Sequence, residues 1–293
     1  MSVSENFKIF CSNLKMSSNT VNTIQNRYHQ ITKRINLDYY NSSSDTNNSL
    51  YVGSYGRRTE IFTSDIDMLI RLPYETYAKF NSYSGNGQSA LLQEVRGILQ
   101  KTYSTSYVKG DGQVIGINFS DGINFEILPS FINQDNTTYT HPDSNNGGSW
   151  KITDPKSEIE AINKLNNETN KNLKRLCRMA RAWKNNCNVP MSGILIDTLA
   201  YKFIKEWQYK DKSYVYYDWM SRDFFKYLKD ISESQTYWFR PGSNRIIYKD
   251  GDFNKKASQA YEKSLEAIEN DIKWYQYTAK QKWREIYGTK FPG

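Results

Sequence analysis

At 293 residues, with hydrophobic residues at 38% and aromatics at 15%, the chain has enough apolar material for one large domain or two lobes sharing a cleft. No run approaches the roughly 18–20 consecutive apolar residues of a membrane span, and MSVSENFKIF lacks the basic start and long apolar stretch of a secretory signal. A net charge of +8 suggests a polyanionic partner without separating nucleotides from nucleic acid, while three cysteines with no C-x-x-C pair and only two histidines argue against a disulfide framework and a Cys/His zinc module and for a reducing, cytoplasmic setting.

Between Ser4 and Tyr39 the apolar residues Phe7, Ile9, Phe10, Leu14, Val21, Ile24, Ile31 and Ile35 recur mostly at helical steps. They predict one or two amphipathic helices, broken near the polar run MSSNT. NSSSDTNN (41–48) reads as a turn-forming spacer. Leu50 to Gly53 is expected to be a short strand ending at a glycine, and Ile66–Leu72 a second strand. Helical character is weak around Tyr77 and strong over Ala90–Tyr103. Tyr107–Phe119 and Ile123–Phe131 read as strands joined at Ser120-Asp121-Gly122 by a hairpin. The polar stretch Asn133 to Gly148 is expected to be a surface loop, with His141 a surface histidine. Past Pro155 the pattern turns helical over Ser157–Asn186, Ile194–Trp207, Asp218–Ile231 and Asn254–Tyr287. The chain therefore reads as α+β, with a mixed half (1–155) and an α-helical half (156–293).

One segment carries chemistry. Asp65 and Asp67 sit two apart in an expected strand, so both side chains leave one face, with Cα atoms about 6.5–7 Å apart. Carboxylates at that spacing can converge on divalent ions, and Mg²⁺ suits such oxygen ligands combined with substrate phosphates. A D-x-D triplet is common on solvated edges and turns. Here Ile66, Met68, Leu69 and Ile70 make the strand a buried one, where two carboxylates without a cation are costly. Gly53 lies twelve residues upstream and allows a phosphate close to the backbone, while Ser54 offers a hydroxyl and an amide. Arg57 and Arg58 read either as charge for a triphosphate or as solvated loop cations. Glu126, the only acid in the apolar strand INFEILP, is the candidate third carboxylate from a neighbouring strand.

At this point the residues resemble a known group. GSYGRRTEIFTSDIDMLI matches the G-S…D-x-D signature of the DNA polymerase β-like nucleotidyltransferase superfamily. FEILPSF, HPDSNNGGSWKITDP, MSGILIDTL and the ending WREIYGTKFPG together resemble bacterial CD-NTases, the cyclic GMP–AMP synthase-like enzymes of anti-phage (CBASS) defence. The likeness runs from about residue 50 to the C-terminus.

The resemblance implies a bilobal polymerase β-like fold: a mixed β-sheet core with an N-terminal helix (1–155) and a helical lobe closing the active-site cleft (156–293). It implies Mg²⁺ or Mn²⁺ as cofactor and nucleoside triphosphates such as ATP and GTP as substrates. A cyclic di- or trinucleotide would form with release of pyrophosphate and be read by a separate effector protein. By the same likeness Asp65, Asp67 and Glu126 are the metal-binding and catalytic acids, and Gly53 with Ser54 the phosphate-binding turn. Ser192 matches a helix-start serine that contacts the triphosphate, its plain alternative being an N-cap, and the two roles are compatible. Lys174 and Arg178, four apart on one helical face, are chosen from the run Lys171–Lys184 as the assisting basic residues; the rest of the run reads as a solvated basic face.

Two positions depart from the group. Glu126 stands where aspartate is usual, one methylene longer, and Gly193 where relatives often place a base-stacking aromatic. Without a zinc insertion, no DNA activator is expected. The ending at Gly293 is similar to relatives conjugated through a C-terminal glycine, so ancillary conjugation or regulatory proteins join the expected partners; an ordinary chain end accounts for it equally well. Transfer of a nucleotide to a protein or an RNA 3′ end, or a catalytically silent nucleotide-binding regulator, are the alternatives. Asp250-Gly251-Asp252 reads as a surface turn, and the stripe Trp274, Tyr275, Tyr277, Trp283, Tyr287 as helical packing.

Overall fold

The computed structural model describes residues 2–62 and 65–293. The first helix, α1 (Val3–Asn13), starts at a capping box: the Glu5 amide donates to Ser2 Oγ at 3.3 Å, and the Ser2 amide donates to Glu5 Oε2 at 2.8 Å. Its apolar face carries Phe7 and Phe10. Both are fully buried, and their partners come from the far end of the chain. Phe7 meets Trp283 and Phe291 at ring-centroid distances of 5.2 Å, and Phe10 meets Tyr287 at 4.7 Å. Burying each phenylalanine contributes about 1.5–3 kcal/mol. Residues 1–16 and 57–62 group with 158–293 as one compact unit, and 17–56 with 63–157 as another.

The mixed unit begins with α2 (Ser18–Tyr40), which buries Ile24, Tyr28, Ile31 and Ile35 at steps of four, three and four residues. The expected break in the N-terminal helical stretch thus falls between Asn13 and Ser18. The spacer after α2 is pinned from inside by the buried Asn36. Its Nδ2 donates to the Ser44 and Asn47 carbonyls at 2.8 Å, and its Oδ1 accepts from Asn48 Nδ2 at 2.9 Å. β1 (Ser49–Tyr51) and a single helical turn, α3 (Gly53–Arg57), lead to β2 (Asp65–Arg71). After α4 (Tyr74–Asn81) and α5 (Gly87–Gln100) come β3 (Tyr107–Asp111), β4 (Val114–Asn118), β5 (Asn124–Ile132), β6 (Tyr139–Asp143) and β7 (Ser149–Thr153). The sheet order is β1-β2-β5-β4-β3, with β6 bridging β5 and β7. β2 and β5 are parallel and the other pairs antiparallel.

Two expectations are corrected here. Tyr107–Phe119 is a hairpin rather than one strand, because Gly112 at φ 59° closes a two-residue turn between β3 and β4. The stretch 133–148 is not all loop. Its centre is β6, paired on both sides, with Tyr139 and His141 only 4% and 5% exposed. His141 is therefore a buried histidine whose Nδ1 lies 3.1 Å from the Pro142 carbonyl. Abundant Asn, Ser and Thr mask the strand's alternation.

The helical unit comprises most of α6 (Pro155–Glu168), α7 (Asn172–Cys187), α8 (Gly193–Glu206), α9 (Tyr217–Lys229), the β8 (Tyr237–Phe239)–β9 (Ile246–Tyr248) hairpin, α10 (Asn254–Ile272) and α11 (Gln276–Tyr287). Left-handed residues break both long helical stretches, Asn170 and Lys171 before α7 and Trp274 before α11. The aromatic stripe splits accordingly. Trp283 and Tyr287 enter the core, whereas Trp274, Tyr275 and Tyr277 are mostly exposed. Among the described residues no helix is long and apolar enough to cross a membrane.

Candidate active site

β2 lies between β1 and β5, so its alternate residues must fill two environments. Ile66, Met68 and Ile70 are completely buried on one face, while Asp65 is exposed and Asp67 partly exposed on the other. The parallel register with β5 sets Asp65 beside Asn124 and Asp67 beside Glu126. Register neighbours in a sheet share a face, with strands about 4.8 Å apart, so the three acids stand on one surface. Phe125 and Ile127, fully buried, flank Glu126 on the opposite side. Asn124 Nδ2 donates to Asp65 Oδ1 at 3.3 Å, a contact that only the register reveals. Partial burial, then the Asp67, Asp65 and Asp111 carboxylates, push the Glu126 pKa up from its ordinary value.

Gly53 is placed by the neighbouring chain. Tyr51 ends β1, so the glycine opens α3 rather than closing a strand, and the Gly56 amide donates to the Val52 carbonyl at 2.8 Å. The Val52 amide donates to the Asp67 carbonyl at 3.0 Å, which brings the turn against β2. At φ +58° a Cβ on residue 53 would stand 1.8 Å from Asp67 Oδ2. Only glycine lets this backbone pass beside that carboxylate. Gly53→Ala is accordingly expected to displace the Asp67 side chain and lower turnover about a hundredfold; steady-state kinetics beside a melting curve would separate this from unfolding.

The donor set fits a hard divalent cation. The three side chains are all carboxylates, and the Asp67 and Asp65 charges add to burial in making Glu126 costlier to ionise, a cost that a divalent cation would offset. Among the described residues, however, no group of three or more His, Cys, Asp or Glu is placed to hold a metal ion.

Lys174, Arg178 and Ser192 belong to the helical unit. Lys174 and Arg178 border one cavity from α7. Ser192 is the N-cap of α8: its Oγ accepts from the Leu195 amide at 3.4 Å, and its own amide donates to the Asp250 carboxylate. Asp250 thus has a definite partner outside its own turn. Gly193 sits under Arg181, whose guanidinium would stand 3.1 Å from an added Cβ.

Arg57 is neither a solvated cation nor one available to phosphate. It is 7% exposed, donating through Nε to Asp197 Oδ2 at 2.9 Å and through Nη1 to Glu158 Oε2 at 3.5 Å. Asp197, fully buried on α8, also accepts from Thr59 Oγ1 at 2.8 Å and from both terminal nitrogens of Arg181. Arg181, expected on a solvated face, is therefore internal. The available signal was Asp197 itself, a lone acid in the apolar stretch GILIDTLA.

The model of the Second Messenger Oligonucleotide or Dinucleotide Synthetase (SMODS) domain matches residues 1–166, more than half of the chain. A probable cyclic nucleotide synthase of Bacillus cereus strain VD146 is 25% identical over 179 residues, 57% of this chain and 51% of that protein, so the match spans about half the relative's length. Among solved structures, Escherichia coli MS115-1 CdnC with ATP superimposes with a TM-score of 0.69 at 14% identity, covering 99% of both chains. The STING-associated CdnE c-di-GMP synthase of Capnocytophaga granulosa gives 0.67 at 16% identity, covering 91% of this chain and 86% of that one. These likenesses show the fold: the α+β, polymerase β-like architecture expected from the sequence is the one present.

Proposed function

Because the chain belongs to the Second Messenger Oligonucleotide or Dinucleotide Synthetase family, we propose that it joins nucleoside triphosphates into a cyclic di- or trinucleotide and releases pyrophosphate. The observation that carries this is the register of β2 against β5, which sets Asp67 beside Glu126, with the Gly53 backbone packed against the Asp67 carboxylate.

Asp65 and Asp67 would hold Mg²⁺ or Mn²⁺, with Glu126 completing the acidic face. When bound, the cation supplies charge neutralisation for the phosphates and lowers the pKa of the attacking hydroxyl. The Gly53 backbone and Ser54 receive the triphosphate. A ribose hydroxyl of one nucleotide attacks the α-phosphorus of another; the new O–P bond forms as the α–β bridging bond breaks, and pyrophosphate carries away that electron pair. Glu126, on the same face as Asp67, is assigned to accept the hydroxyl proton. Repetition on the linear product closes the ring. Lys174, Arg178 and the Ser192 hydroxyl are assigned to the phosphate tail from the helical unit. The anti-phage setting, a separate effector that reads the product, and a regulatory protein partner belong to the same proposal. One similar structure is a complex of CdnC with HORMA-deltaN.

The test is incubation with labelled ATP, GTP, CTP and UTP plus Mg²⁺ or Mn²⁺, followed by phosphatase. A small, phosphatase-resistant product is expected. Label on protein or RNA would shift the acceptor to a macromolecule. No turnover in any mixture would favour a silent nucleotide-binding regulator, the outcome to which the longer Glu126 side chain gives weight.

A further inference from the structure

We propose that a cavity within the helical unit binds a compact polyphosphate of three or more negative charges. This rests on the nucleotide reading only for Lys174 and Arg178, which the two assignments share, and extends it to α1, which that reading left without a role.

The cavity has a volume of about 350 Å³, within the range of small-ligand sites. Lys8 of α1, Lys15 in the turn after it, Lys171 just before α7, and Lys174, Arg175 and Arg178 of α7 border it, and none of its described lining residues is acidic. Cations on an ordinary solvated surface diverge into water or alternate with acids; these converge from two elements.

Their tethers are mostly neutral. Arg175 Nη1 donates to the Asn170 carbonyl and to Tyr217 Oη, each at 3.1 Å, and the guanidinium lies 4.9 Å above the Tyr214 ring centre. Arg178 donates through Nε to the Glu60 carbonyl at 3.0 Å and through Nη2 to the Arg58 carbonyl at 2.7 Å. Lys174 Nζ donates to Asn163 Oδ1 at 2.5 Å. Such dipoles fix the side chains without cancelling their charge. The Glu60 carboxylate pairs only loosely with Arg178, at 3.8 Å. Burial, then Arg58 and Arg178, bring the Lys174 ammonium down to about 8, so the cluster works against itself until an anion arrives. Two guanidiniums among the six cations favour phosphate, whose oxygens match a bidentate fork.

A triphosphate tail and a free polyphosphate share this chemistry, and the experiment separates them. Sodium tripolyphosphate, ATP and adenosine are titrated calorimetrically into the Asp65→Asn, Asp67→Asn protein with EDTA present, so that turnover and divalent metal play no part. Tripolyphosphate and ATP should bind and adenosine should not. Equal affinities would identify a free polyphosphate site, and ATP tighter by tenfold or more a nucleotide tail. Lys8→Gln with Lys15→Gln, both exposed positions, should weaken tripolyphosphate at least tenfold with an unchanged melting temperature. Absence of tripolyphosphate binding, or binding indifferent to Lys8→Gln with Lys15→Gln, would overturn the proposal. A missing cyclic product in the phosphatase assay would not touch it, because this readout is binding by a turnover-deficient chain.

Discussion

Replacing Asp65 and Asp67 together by asparagine is expected to cut nucleotide turnover by at least about a thousandfold while leaving the melting temperature level or slightly raised. Loss of a single preorganised donor from a charged transition state costs about 10²–10³ in rate, and the two charges proposed to hold the cation should cost no less. The fold should tolerate the change because asparagine keeps the shape of aspartate. Both positions lie on the accessible face of β2, and Glu126 is relieved of two neighbouring charges that raise its pKa. Product formation measured beside thermal melting decides the matter. Turnover within tenfold of the original would remove these acids from the chemistry.

Asp197→Ala should produce the largest loss of stability, about 3–5 kcal/mol, because it leaves Arg57 and Arg181 inside the helical unit without their shared carboxylate. For a chain of this size that corresponds to a fall in melting temperature on the order of 10 °C. The same residue sets an acid limb. Burial alone would raise its carboxyl, but Arg181 and Arg57 hold it at about 2, below the roughly 3.9 of an unfolded aspartate. Its contribution is therefore complete above about pH 4 and lost as the pH falls towards 2. Urea unfolding across that range should show a steeper decline for the original than for Asp197→Asn. A cost under about 1 kcal/mol for Asp197→Ala at neutral pH would mean that the two arginines find other partners.

What was legible in the sequence was local. The D-x-D spacing fixes two side chains on one strand face, and the apolar residues between and after them say which face is buried. Glu126 could be singled out because an acid in an apolar strand is anomalous. That it stands beside Asp67, and Asn124 beside Asp65, depends on a parallel register across 59 residues, which no periodicity encodes. Arg57 was misplaced for a related reason. Its charge and loop setting suggest solvent, whereas its partner Asp197 lies 140 residues away. β6 was hidden by composition, since its backbone pairing, not side-chain hydrophobicity, makes it a strand. The cavity's basic lining was visible only as half of itself. The α7 cations form a run, but Lys8 and Lys15 lie on and just after α1, with no sequence link to them.

The packing of α1 also has a consequence for how the protein is made. Phe7 emerges from the ribosome 276 residues before Trp283 (283 − 7), its ring partner. At about 5–20 residues per second, α1 spends roughly 14–55 s without the surface that finally covers it. The mixed unit, complete by residue 157, can form while the nascent helix waits. For that interval two bare phenylalanines make the growing chain a natural client for a holding chaperone, and an N-terminal fusion that shields them should improve its soluble yield.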